Sequence, residues 1–201
     1  MATPIGHYLF GLSIAQTFAR DEHEKRQAFW LAAVACLPDL DIVPGVMVGK
    51  LNQFHHGASH SFFAAALFSV VGVWVFRWWG GKISGRLLLL LVLLYASHVL
   101  LDYVTLDTGA PFGVPLFWPW SYETYQSPWL LLPNVQHTRA PIVSIHNALL
   151  MLQEVIIFLP LLGLIQALKI SSWHRLRLPA WFYGGWFLVA TWASILLLQG
   201  S

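Results

Sequence analysis

"RLLLLLVLLYASHVLLDYVTL", residues 86–106, decides the fold. It is apolar over about the 20 residues that a helix needs to cross a hydrocarbon core of ~30 Å. Inside that run His98 and Asp102 stand four positions apart, so on a helix they share one face one turn apart. Ionisable groups are costly in a membrane span and usually mark function. A pair of this spacing suits a metal ion, and it also suits a hydrogen bond that glues two helices together.

Similar apolar runs occupy residues 61–79, 145–168 and 180–198, and two less regular ones occupy residues 5–19 and 27–48. The chain of 201 residues is 57% hydrophobic and 10% charged, with a mean hydropathy of +0.63. Soluble domains are about 45–50% apolar. The expected fold is therefore all-α, a polytopic helical bundle of about six spans forming a single integral membrane domain over residues 1–201. No internal repeat or low-complexity tract interrupts it. The formal charge of +2 is spread over loops rather than gathered into a stripe, so it gives no sign of nucleic-acid binding and no such partner is expected. "MATPIGHYLF" lacks the basic start and small-residue cleavage site of a secretory signal, so the N-terminus is expected to be retained. The lone Cys36 excludes an internal disulfide and reads as buried packing.

With six spans, Arg20, Lys25, Arg26, Arg77, Lys82, Arg86, Lys169, Arg175 and Arg177 fall in alternate loops, nine of the 11 basic residues. Lys50 and Arg139 are left for the other side. The positive-inside rule then puts the three basic loops in the cytoplasm and both termini outside. His23 and His174 join the basic loops as solvated residues. His7, His55, His56, His60, His98, His137 and His146 lie at or toward the outer ends of the spans, with Asp39, Asp41, Asp102 and Glu154.

Two further segments carry chemistry at that end. In "HHGASH", residues 55–60, His56 and His60 are four apart, whereas His55 reaches His60 only if the chain turns at Gly57. Ser59 is expected to cap the following helix, which begins near residue 60. Histidines resting in the headgroup region are the alternative. In "LPDLDIVPG", residues 37–45, two prolines break the helix around Asp39 and Asp41. A broken segment lining a cavity can turn both carboxylates toward an ion, or one toward the ion and one toward its ligand. Exposed carboxylates in a helix-ending turn are the plainer reading.

His7, Asp41, His55, His60, His98 and Asp102, with Asp39 and His56 in reserve, suit two divalent ions. Zinc takes nitrogen and oxygen ligands and keeps an open position when catalytic. A pair of ions ~3.5–4 Å apart serves phosphoester hydrolysis. The loop "GVPLFWPWSYETYQSPW", residues 113–129, reads as an interfacial aromatic belt or as a lid. Glu154 lies at about the depth of His98 and either supports the site or pairs elsewhere. His137 and His146 are left without a role.

The motifs resemble those of the YdjM family of membrane-bound metal-dependent hydrolases. They are Gly6-His7, Leu37-Pro38-Asp39-Leu40-Asp41, His55-His56-Gly57-Ala58-Ser59-His60-Ser61, and Ser97-His98 through Asp102, followed by Thr105 and "GVPLFWP" from Gly113. The resemblance covers residues 6–120 and leaves the last two spans without a motif. It implies metal roles for His7, Asp39 or Asp41, His55, His60, His98 and Asp102, and favours His55 over His56. His56 stands where the family usually has arginine, so a permanent cation is missing there; either substrate binding differs or His56 does the arginine's job only when protonated. The family is similar to the zinc-dependent phospholipase C and single-strand nuclease superfamily, which implies phosphoester chemistry.

The expected function is hydrolysis of a lipid or lipid-linked phosphoester by metal-activated water near the outer leaflet of a bacterial inner membrane. Zinc is the expected metal. Asp39 is the candidate proton acceptor or a support for a ligand. A metal-ion or proton transporter using the same histidines and aspartates is the alternative, and it would need polar residues continuing to the cytoplasmic ends of the spans.

Overall fold

The computed structural model describes residues 1–50, 54–108, 112–135, 144–169 and 178–199. Among them are seven α-helices: α1 (Pro4–Phe18), α2 (Glu22–Leu31), α3 (Ile42–Met47), α4 (Phe62–Trp78), α5 (Gly85–Tyr103), α6 (Ile145–Lys169) and α7 (Ala180–Gln199). Three short 3-10 turns complete them, at Ala32–Cys36, Pro38–Asp41 and Ala58–His60.

Local chemistry sets most helix starts. Thr3 caps α1, its side-chain oxygen accepting from the Ile5 amide, and Pro4 supplies the fixed φ favoured at a first helical position. Asp21, Ser61 and Ser84 cap α2, α4 and α5 in the same way. Ser59, expected as the cap of α4, is not one. The chain makes a 3-10 turn through Ala58–His60 first, which delays the helix to Phe62 and hands the cap to Ser61.

Helices α5, α6 and α7 are each long and apolar enough to cross a membrane, while α4 is apolar over 17 residues and α1 has 15. The segment from Glu22 to Met47 passes the same test only as a bent pair, broken by 41° where Pro38 and the 3-10 turns interrupt it. By length and composition, three or four spans stand where six were expected. The difference lies in the short α1, the short α4 and the broken segment.

Helix α1 packs on α6, α5 and the Ala32–Cys36 turn, and α7 packs outside on α6. A Cβ at Gly11 would lie 2.6 Å from that of Ala35, so a glycine is required where α1 meets this turn. Leu12, Ala15, Ala28, Ala32, Leu90, Leu94 and Leu162 form a buried apolar cluster among α1, α2, α5 and α6. Cys36 is half-buried rather than buried, its thiol 3.5 Å from the Pro4 carbonyl oxygen.

The two ends of the bundle differ in charge. At one end Lys169 donates to the carbonyls of Thr17 and Ala19 at 2.6 Å, capping α1, and Arg86 pairs with Glu24 at 3.0 Å. The titratable site residues gather at the other end, where α1, α4 and α6 begin and α5 finishes. Residues 112–135 fold back over this end. The Phe62 amide donates to the Leu116 carbonyl, Val114 and Leu116 are buried, and Trp120 and Tyr122 stay exposed. The loop is thus part cover and part aromatic rim.

Candidate metal centre

His98 and Asp102 face inward from the last turns of α5, both fully buried, with His98 Nε2 3.1 Å from Asp102 Oδ2. The other nitrogen of His98, Nδ1, lies 2.7 Å from the Ala35 carbonyl oxygen. A carbonyl only accepts, so Nδ1 carries a proton, and in the neutral ring Nε2 presents a lone pair to the interior. That lone pair points at His60 Nε2, 3.1 Å away. Two ring nitrogens this close in a buried site require a proton or a cation between them.

The broken segment supplies both aspartates. In the 3-10 turn Pro38–Asp41, Asp39 and Asp41 point to opposite sides of the His60 ring: Asp39 Oδ1 is 3.7 Å from Nε2, and Asp41 Oδ2 is 3.2 Å from Nδ1. Asp41 also receives the Ser59 hydroxyl at 2.6 Å and holds His55 Nδ1 at 2.7 Å. Asp39 Oδ1 reaches His98 Nε2 at 3.4 Å. From α1, the His7 ring stacks on His98 with centroids 3.6 Å apart, and its Nε2 is 3.3 Å from Asp102 Oδ1.

Donor atoms from Asp39, His60, His98 and Asp102 all lie within 4.8 Å of one another, as do those of a second set, His55, His56 and His60. Several buried polar atoms here make no hydrogen bond among the described residues: both nitrogens of His7, Asp39 Oδ1, Asp102 Oδ2 and His56 Nε2. Buried polar groups are almost always satisfied. Orphans of this kind, converging as oxygen and imidazole nitrogen, fit a divalent cation such as zinc.

All seven expected ligands, His7, Asp39, Asp41, His55, His60, His98 and Asp102, come together at this end. His56 comes with them. Its ring is 5.0 Å from that of His60, and its Nδ1 is 3.4 Å from Asp107 Oδ2. Burial pushes the His56 imidazole below its ordinary value, opposed by the Asp107 carboxylate. Glu154 stays outside the cluster. It accepts from the amides of Thr3 at 2.6 Å and Gly6 at 3.0 Å, and from the Thr3 hydroxyl. His146 Nε2 is 3.2 Å from the Asn134 carbonyl oxygen, and His137 lies outside the described residues.

Three partners had no signal in the sequence: the Ala35 carbonyl on His98, the Ser59 hydroxyl on Asp41, and the Ala2 amide, which donates to Asp102 Oδ1 at 3.1 Å. Two are main-chain groups with no residue type to read, and the serine doubles as a plausible cap.

The YdjM inner membrane protein family matches residues 1–169. The chain belongs to this family. The YdjM match runs through α6, past the last motif near residue 120. "Inner membrane protein YbcI" of Escherichia coli (strain K12) is 33% identical over 135 residues, 66% of this chain and 76% of that protein. No solved structure matches.

Proposed function

We propose that this YdjM-family protein is a metal-dependent hydrolase of a lipid or lipid-linked phosphoester, with its site on the outer side of the inner membrane. The facing nitrogens of His60 and His98, flanked by Asp102 Oδ2 and Asp39 Oδ1 at 3.1 and 3.4 Å from His98 Nε2, carry the reading. These four residues would hold one ion, with His7 against Asp102 and His98. Zinc is the proposed metal, and a second ion is proposed beside the first. A bound divalent cation supplies a Lewis acid for the phosphoester oxygens and makes water a nucleophile at neutral pH.

The side chains divide the remaining work by exposure. Those of His60, His98 and Asp102 are fully buried, whereas that of Asp39 is 17% exposed. Asp39 is therefore the carboxylate that meets an incoming water or substrate, and accepts its proton. Asp41, fixed by Ser59 and His55, orients His60 and His55. Leu40 between the two aspartates and Val43, Met47 and Phe54 beside them are exposed. An apolar rim around a polar site suits a substrate with acyl or isoprenoid chains and a phosphoester head.

The basic end formed by Arg86 and Lys169 is opposite this site, which supports an extracytoplasmic location through the positive-inside rule. Helices α1 and α6 run from the site end to the basic end and α5 runs back. That alternation supports six crossings, with the bent segment counted as one and with α1 and α4 as the two that the length test leaves out. The apolar cluster that includes Leu12 and Leu94 offers no titratable side chain for ion transit, which favours hydrolysis.

The test is to purify the chain in detergent and measure bound metal by mass spectrometry. Hydrolysis of a phospholipid and of a generic phosphodiester is followed alongside, for wild type, His98→Ala and Asp102→Ala. Zinc and turnover lost together in the variants support the reading. A wild-type protein that binds no metal after reconstitution sinks it.

A further inference from the structure

His56 has a conformation that its neighbours do not explain. It is the one non-glycine residue with positive φ among the described residues, at 59°. The left-handed region is uncommon for any residue that carries a Cβ. That backbone turns the ring inward, where the side chain is 14% exposed and its centroid is 4.5 Å from that of His55. Its Nε2 is buried and makes no hydrogen bond among the described residues.

We propose that His56 is a ligand of a second divalent cation, held with His55 and His60 beside the position formed by Asp39, His60, His98 and Asp102. The inference rests on the metal-centre reading above and goes beyond it by naming the second set. One nitrogen from each of the three histidines lies within 4.8 Å of the others. Such a set satisfies the orphan Nε2 and gives the strained turn a purpose. On the far side of the ring, Asp107 Oδ2 faces Nδ1 at 3.4 Å and is itself fixed by the Gly113 amide at 3.0 Å. A carboxylate behind an imidazole is the usual way to orient a metal-binding histidine. His60 belongs to both sets and would contribute to each position, with Asp41 and Ser59 against its Nδ1.

The test uses the full chain in detergent, stripped of metal and titrated with zinc and, separately, with cobalt(II), whose visible absorption reports its ligands. His56→Asn removes the imidazole and tolerates the left-handed backbone, and His56→Gly tolerates it fully. Wild type should take up two equivalents. Both variants should keep the melting temperature of the stripped protein and one equivalent, with the other weakened at least tenfold and its cobalt spectrum changed. His98→Ala should instead lose the equivalent that the His56 variants keep. Two equivalents in the His56 variants, with unchanged affinity and spectrum, overturn the proposal and leave the metal centre standing. A single equivalent in wild type also overturns it. No uptake by wild type removes the metal-centre reading itself.

Discussion

A Cβ added at Gly6 would lie 2.7 Å from the Glu154 carboxyl carbon, one residue before His7. Glu154 therefore fixes α1 to α6 at the level of the site, accepting from the Thr3 and Gly6 amides. Its carboxyl group lies at the N-terminus of α1, where main-chain amides are left without helical partners.

Gly6→Ala should displace α1 from α6 and carry His7 away from Asp102, costing about 1–3 kcal/mol through overpacking. Glu154→Gln, with the shape kept, should cost less than Glu154→Ala, which leaves the Thr3 and Gly6 amides without this partner. Melting temperature and zinc stoichiometry in detergent check the series. A Glu154→Ala protein that keeps wild-type stability and zinc affinity would show that this contact holds nothing.

Asp41 and Ser59 form a support whose parts can be separated. Asp41 holds His55 and His60, while Ser59 donates to Asp41 alone among carboxylates. Asp41→Asn should weaken zinc binding about 10–100-fold, as loss of a carboxylate behind a ligating histidine does. Ser59→Ala should act in the same direction and more weakly. Competition with a chelator of known affinity measures both.

Chelation should lower the melting temperature of wild type, and added zinc should restore it. A ligand that binds only the folded state stabilises it by about 2.7 kcal/mol at one hundred times its dissociation constant. His98→Ala should make the melting temperature much less responsive to zinc. An equal response in wild type and His98→Ala would place the ion elsewhere.

Lys169→Gln removes the cation that caps the carbonyls of Thr17 and Ala19 at the basic end. The expected loss is about 0.3–1 kcal/mol of stability, the range for a cation at a helix C-terminus. Zinc stoichiometry should not change. Loss of zinc in this variant would mean that the two ends of the bundle are coupled.

Gly113→Ala should destabilise the fold by about 1–3 kcal/mol. Gly113 has φ +83°, and its added Cβ would collide with the Tyr125 carbonyl. The Gly113 amide also fixes Asp107 behind His56, so a fall in uptake of the second zinc equivalent should accompany the loss of stability.

Composition and apolar run length determined the membrane class and the all-α fold, because the solvent is hydrocarbon and the backbone must satisfy itself within each segment. Helical periodicity placed His98 beside Asp102, since an i,i+4 pair is set by the helix alone. The prolines around Asp39 and Asp41 marked the break that the structure has. What lay beyond reach depends on groups distant in sequence. Asp39 and Asp41 meet opposite sides of His60, the Ala35 carbonyl fixes the His98 tautomer, and Glu154 holds the start of α1 rather than joining the cluster. His56 turns inward through a single backbone torsion that residue type does not favour. Local sequence sets periodicity, capping and breaks. Tertiary packing alone brings main-chain carbonyls, amides and remote carboxylates within hydrogen-bond reach of a ring, and so decides which nitrogen of each histidine is left to bind.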